Sequence, residues 1–236
     1  MKGVIFYSNT NQSRAAAAYF AESLGWESYD LHCPVQAKAA AEATFERAVL
    51  VFPVHCQNLP YVIADFLQVL RAKRLAVIAT YGRMCHGNVL YEVQKRYRAG
   101  EIVAAAYLPM QHTYLPASGN ADLDVLRGMA VKMTAPDPVP VRVPQSYKNP
   151  FADLLPATRS RMGVGMRIDL EKCTHCGICE RGCLHGGILH GSFTNTCIRC
   201  LRCVENCPEE AISYRIRLPL RLYLKKKPTE RAEVYL

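Results

Sequence analysis

Eight cysteines crowded between Cys173 and Cys207 constrain this chain more than any other feature. CTHCGICERGC (173–183) spaces its cysteines as C-x2-C-x2-C-x3-C. CIRCLRCVENCP (197–208) repeats that spacing and adds a proline. Three thiolates three residues apart on a tight turn reach three irons of one cubane, and the fourth iron must be reached from elsewhere. Structural zinc takes paired C-x2-4-C ligands instead of two sets of three with a fourth. Disulfides are rare in the cytosol. The spacing therefore points to iron–sulfur clusters. Leu184 stands after Cys183 where the second run has Pro208, and only LHGGILHGSFTNT (184–196) separates the runs. With eight thiolates at hand, His175, His185 and His190 read as surface or outer-shell residues.

The other three of the eleven cysteines, Cys33, Cys56 and Cys85, read as inert buried thiols, with a redox role as the alternative for Cys56 and Cys85. No apolar run approaches the ~18 residues of a spanning helix. The opening MKGVIFYSNTNQ has too short an apolar core for a secretory signal. The expectation is a cytoplasmic protein without a transmembrane segment. Charge is uneven. Residues 215–236 hold seven Lys/Arg against two Asp/Glu, a balance of +5 within a formal +9. Such a tail is either a solvated end or a surface that steers an acidic partner. Tyr223 and Tyr235 interleave with the basic residues, but no nucleic-acid recognition fold accompanies them, so nucleic acid is not expected.

The first 135 residues alternate between two patterns. VIFY (4–7), ESYDL (27–31), RAVLVF (47–52), LAVIAT (75–80) and EIVAAAYL (101–108) read as strands. Helical patterns fall at 13–24, 35–47, 61–73, 88–98 and 121–134. Five strands alternating with helices predict an α/β fold, a doubly wound parallel sheet that binds ligands beyond its carboxyl edge. The proline-dense stretch 136–156 is neither helix nor central strand. The expected divisions are a domain at 1–135, a linker at 136–160, a small α+β cysteine domain at 161–214 and the tail at 215–236.

SNTNQS (8–13) joins the first strand to the first helix. It reads equally as an ordinary turn capped by Ser13 or Asn11, or as an anion site at a helix start. It lacks the lysine of a Walker loop and the glycines of G-x-G-x-x-G.

The loop resembles the flavodoxin phosphate signature [ST]-x-T-G-x-[ST], with Asn11 where that family has glycine. The cysteine runs resemble those of bacterial two-cluster ferredoxins. The whole chain resembles fused flavodoxin–ferredoxin proteins, over residues 1–134 and 165–214, with PMQHTY (109–114) similar to that family's segment after the fifth strand. The resemblance implies two [4Fe–4S] clusters, one on Cys173, Cys176, Cys179 and Cys207, the other on Cys197, Cys200, Cys203 and Cys183. It also implies FMN. Ser8, Asn9, Thr10, Asn11, Gln12 and Ser13 would hold the phosphate, and Asn11 would take the positive φ of the missing glycine. Pro53, Val54 and His55, with Thr80, Tyr81 and Gly82, would line the ring, and Tyr81 or Tyr114 would stack on it. The expected role is an intracellular electron relay between FMN, two clusters and a redox-protein partner. The alternatives are a flavin-dependent reductase, or a ferredoxin whose flavodoxin-like domain has lost FMN and docks a partner.

Overall fold

The computed structural model describes residues 1–115, 121–154, 156–226, 228–229 and 231–236. Linker position 155 and tail positions 227 and 230 therefore lie outside the described residues. Five parallel strands carry the first domain: β1 (Lys2–Phe6), β2 (Glu27–Asp30), β3 (Thr44–Pro53), β4 (Arg71–Tyr81) and β5 (Glu101–Pro109). They lie in the order β5-β4-β3-β1-β2, and β1 pairs in parallel with both β2 and β3. The order reverses at β1, a switch point of the kind beyond whose carboxyl edge open α/β sheets bind ligands.

β1, β3, β4 and β5 are buried on both faces over most of their length, whereas β2 at the edge is largely exposed, and alternation divides the buried residues into two cores. Ile5, Leu50, Phe52, Leu75 and Val77 pack on one face with Ile63 and Phe66 of α3 (Tyr61–Val69) and with Leu90 and Val93 of α4 (Val89–Arg96). Val4, Phe6, Val49, Val51 and Ile78 pack on the other with Phe20 of α1 (Asn11–Leu24) and Met129 of α5 (Arg127–Thr134).

Two helices end earlier than their sequence patterns suggest. α2 (Pro34–Glu42) stops before β3, and α3 stops at Val69. Residues 44–47 and 71–74 instead extend the ladder between β3 and β4, from Thr44 opposite Arg71 onward. Their alternating burial, with Phe45 and Ala72 inside, suits a strand entering the core.

The tail also differs. Instead of ending as a solvated segment, it forms α9 (Leu218–Tyr223) and then β10 (Glu233–Tyr235). β10 pairs antiparallel with β5, so the sheet has six strands instead of five. This covers the β5 edge, which would otherwise present unpaired backbone groups. Glu233 also meets His86, Oε1 to Nε2 at 3.0 Å.

The proline-dense segment runs extended along the first domain. Val143 is buried, and the Val141 amide donates to the Ile102 carbonyl at 2.8 Å. The buried Arg47 donates to the carbonyls of Met133 (2.7 Å), Ala135 (2.6 Å) and Pro136 (3.0 Å), fixing the start of the segment. Residues 156–160 already belong to α6 (Pro156–Gly163). The cysteine domain then pairs β6 (Val164–Ile168) with β9 (Ile212–Ile216) and carries a small hairpin, β7 (Ile188–Leu189) with β8 (Ser192–Phe193).

Candidate functional site

The two cysteine runs fold alike. Each begins in a turn and enters a four-residue helix, α7 (Ile178–Arg181) or α8 (Arg202–Glu205). Left-handed backbone recurs at matched places: His175 and Arg199, Gly177 and Leu201, Gly186 and Glu210. Gly177 and Leu201 cap the two helices at φ 70° and 64°. The leucine takes a backbone that costs a side-chain-bearing residue ~1–2 kcal/mol, and its buried side chain offsets that cost. The last cysteine of each run accepts an amide four residues on: Gly187 to Cys183 Sγ at 3.2 Å, and Ala211 to Cys207 Sγ at 3.3 Å. Such N–H to sulfur bonds tune a cluster's potential.

Cys183, Cys197, Cys200 and Cys203 line one cavity, which Cys179 also borders. Burial pushes the Cys200 thiol up to about 11 and the Cys203 thiol up to about 12. Thiols so placed stay protonated until a metal replaces the proton. Cys173 and Cys179 lie close enough to influence one another, while Cys176 is exposed. Among the described residues, no three His, Cys, Asp or Glu side chains gather as for a single metal ion.

The cysteine domain sits on the carboxyl edge of the sheet. Tyr7, the residue after β1, bonds His185, Oη to Nε2 at 2.8 Å, and both are buried. Tyr61 donates to the Leu184 carbonyl at 2.8 Å, and Arg202 to the Ser8 carbonyl at 3.2 Å. Tyr114 donates through its hydroxyl to the Arg199 carbonyl. Asn9 borders the cysteine cavity itself. Around Tyr7 the rings gather: His32 stacks on it at 4.8 Å and 2°, and His55 and His185 stand 6.1 Å apart. Burial holds His55 down at about 3 and His185 at about 4, so both imidazoles are neutral near pH 7. His185 is thus an interface residue. Nothing in its spacing marks it, because its partner lies far away in sequence. His175 and His190 are exposed.

The loop at 8–13 differs in detail from its sequence reading. Thr10 is the N-cap, in extended backbone, and Asn11 opens α1 without taking positive φ. A helical start accepts asparagine as readily as glycine, so this exchange carries no backbone strain. Ser8 donates to the Thr10 carbonyl and accepts the Arg14 amide at 3.2 Å. Ser13 shares a hydrogen bond of 2.7 Å with Thr80. Asn9 bonds His55 at 2.8 Å, and Gln12 donates to Gln111 at 3.2 Å. The serine hydroxyls therefore brace the loop from within. The amides of Asn11, Gln12 and Ser13 at the helix start have no intrahelical acceptor.

The later loops interlock beside it. A Cβ on Gly82 would lie 2.5 Å from His112 Cδ2, and one on Gly87 (φ +64°) 2.4 Å from the Gln57 carbonyl oxygen. Cys56, Gln57 and Arg83 take left-handed backbone, which concentrates strain in the segments around Pro53–His55 and Thr80–Gly82. Pro53 and Val54 are partly exposed, and so is part of His55, whose imidazole is desolvated among the Tyr7 and His185 rings. Thr80 and Tyr81 are buried, while Cys56 is exposed and Cys33 and Cys85 are partly exposed, contrary to the expectation of buried thiols.

A second surface feature flanks the cysteine cavity. An open groove of about 620 Å³ runs along β6, β9 and α9. It is lined by the exposed Arg167, Arg215, Arg217 and Arg221, none of which forms an ion pair among the described residues. Gly165 forms its floor, with the Arg217 guanidinium 3.5 Å from where a Cβ would stand. Met166 borders both this groove and the cysteine cavity.

The 4Fe-4S binding domain family matches residues 193–213, which span the second cysteine run. No curated protein matches the chain. Among solved structures, it is similar to a candidate flavoprotein from Bacteroides eggerthii, at 13% identity and a TM-score of 0.39, covering 57% of this chain and 98% of that one. It is also similar to the Trp repressor binding protein from Bacillus subtilis, at 13% identity and a TM-score of 0.35, covering 58% and 99%. No helix among the described residues is long and apolar enough to cross a membrane.

Proposed function

We propose that this chain, a flavodoxin-like sheet fused to a 4Fe–4S ferredoxin segment, relays electrons between FMN and two [4Fe–4S] clusters. One observation carries the reading. The cavity lined by Cys183, Cys197, Cys200 and Cys203 is also lined by Asn9 of the loop that would hold the FMN phosphate. Cofactors at the two sites would be neighbours.

The donor sets fit these groups. Cys183 with Cys197, Cys200 and Cys203 would hold one cluster, and Cys173, Cys176 and Cys179 with Cys207 the other. Thr10 and the opening amides of α1 would bind the phosphate, with Ser8 and Ser13 bracing the loop behind them. Pro53–His55 and Thr80–Gly82 would border the ring. When bound, FMN would supply the exchange between paired and single electrons, and the clusters single-electron steps. The chain's own part is to hold the sites together. Tyr7, Tyr61, Tyr114 and Arg202 clamp the cysteine domain to the sheet edge, and burial keeps His55 and His185 neutral between them. A redox partner with an acidic face would dock on the arginine groove, one residue's thickness from the cysteine cavity through Met166.

Anaerobic purification with iron, sulfide and flavin counts tests the reading. Eight irons and one FMN per chain are expected. A protein that holds its iron but takes up no added FMN would leave an electron-transfer ferredoxin with a docking domain, and would sink the relay.

A further inference from the structure

The duplicated runs differ at one matched position. The residue before the second cysteine is His175 in the first run and Arg199 in the second, and both take left-handed backbone, at φ 55° and 60°. His175 is exposed. Arg199 is turned inward. It lines the cavity shared by Cys183, Cys197, Cys200 and Cys203, and its guanidinium lies 5.3 Å from the centre of the Phe193 ring. Its Nε and Nη1 are buried and have no hydrogen-bond acceptor among the described residues. A guanidinium cannot shed its proton, and holding two of its three nitrogens away from water with no anion beside them is costly. Such a cost is offset where an anion belongs. An iron–sulfur cluster ligated by four thiolates is that anion, and its sulfurs accept N–H groups.

We infer that Arg199 is the counter-charge of the cluster held by Cys183, Cys197, Cys200 and Cys203, and that it makes this cluster the more oxidising of the two. This rests on the cluster assignment proposed above. Reduction adds one electron, hence one negative charge, and a nearby fixed cation stabilises the reduced form more than the oxidised form. Beside the first run His175 is exposed, and Arg181, which donates to the Cys176 carbonyl at 2.9 Å, is exposed as well, so water screens its charge. The single electron therefore rests at the cluster docked against Tyr7, Ser8 and Asn9, on the side of the flavodoxin-like domain. Tyr114 completes the arrangement. By donating to the Arg199 carbonyl, it helps hold the left-handed turn that directs the guanidinium inward.

The test is a potentiometric titration of the holoprotein with dithionite and mediators, followed by electron paramagnetic resonance. Iron and sulfide counts on each variant show first that both clusters are present. Loss of the clusters from the wild-type protein would count against the cluster assignment, not against the role of Arg199. Two resolved midpoints are expected in wild type. In Arg199→Met the higher midpoint falls toward the lower one, Arg199→Lys retains most of the gap, and His175→Arg raises the lower midpoint if the cation turns inward. Unchanged midpoints in Arg199→Met, or an equal fall of both, would overturn the inference. Arg199→Lys covers the case in which the methionine variant loses its cluster. A lysine variant with both clusters and no gap between them also counts against it.

Discussion

Tyr7 and His185 stand 178 residues apart in the chain and 2.8 Å apart in space, as a buried hydrogen bond between the parallel sheet and the cysteine domain. The bond joins the end of β1 to the second residue after Cys183. Tyr7→Phe keeps the stacking on His32 and removes only the hydroxyl. His185 Nε2 is then left buried without a partner, a loss of about 1–3 kcal/mol. The expected result is a lower urea midpoint with unchanged iron content, and faster proteolysis between the domains. A midpoint equal to wild type would show that water replaces the hydroxyl at no cost.

Acid should weaken the fold through the neutral imidazoles. Burial holds His55 at about 3 and His112 at about 4, below the value of about 6.5 for an exposed histidine. Above pH 6.5 neither state binds the proton and stability does not depend on it. Below that, the unfolded chain takes up protons that the folded chain refuses, so stability is lost as pH falls and levels off only beneath the folded values. Urea midpoints measured from pH 7.5 to 5.5 should fall below pH 6.5, and His55→Gln with His112→Gln should flatten the slope. An equally steep slope in the double variant would assign the acid sensitivity to other groups.

The proposed crossed ligation has its own signature in iron counts. Cys183→Ala and Cys197→Ala should each lose about four irons, and the double variant no more than either single one, because residues that act as a unit are not additive. Cys173→Ala combined with Cys183→Ala should lose both clusters. Additive loss in Cys183→Ala with Cys197→Ala would place those two cysteines on different clusters.

The arginine groove predicts the salt behaviour of any acidic partner. With an acidic ferredoxin as the probe, reduction of the clusters should slow roughly tenfold between low salt and ~0.5 M salt as the charges are screened. Arg215→Glu with Arg221→Glu should produce a similar loss at low salt and leave reduction by dithionite unchanged. A rate indifferent to both would place docking elsewhere. Binding of single-stranded DNA or anionic vesicles that disappears in the same variant, with electron transfer intact, would identify a different occupant.

The local signals in the sequence were reliable wherever local physics decides structure. The spacing of Cys173 to Cys183 and of Cys197 to Cys207 determines two like turns, since three-residue intervals bring thiols to one side of a turn whatever surrounds it. The apolar runs at β1, β3, β4 and β5 determine buried strands, and their alternation with helices determines a parallel sheet. What depends on distant partners could not be read the same way. The pairing of β10 with β5, the inward bracing by Ser13 against Thr80, and the burial of His185 against Tyr7 all arise from contacts between distant parts of the chain. Position 185 reads like its neighbour His190 until Tyr7 is brought against it. Asn11 looks like a strained stand-in for glycine until α1 is seen to begin there. Spacing and periodicity are properties of a segment. Burial and hydrogen-bond satisfaction are properties of the neighbours that a segment meets, and only the tertiary fold supplies those.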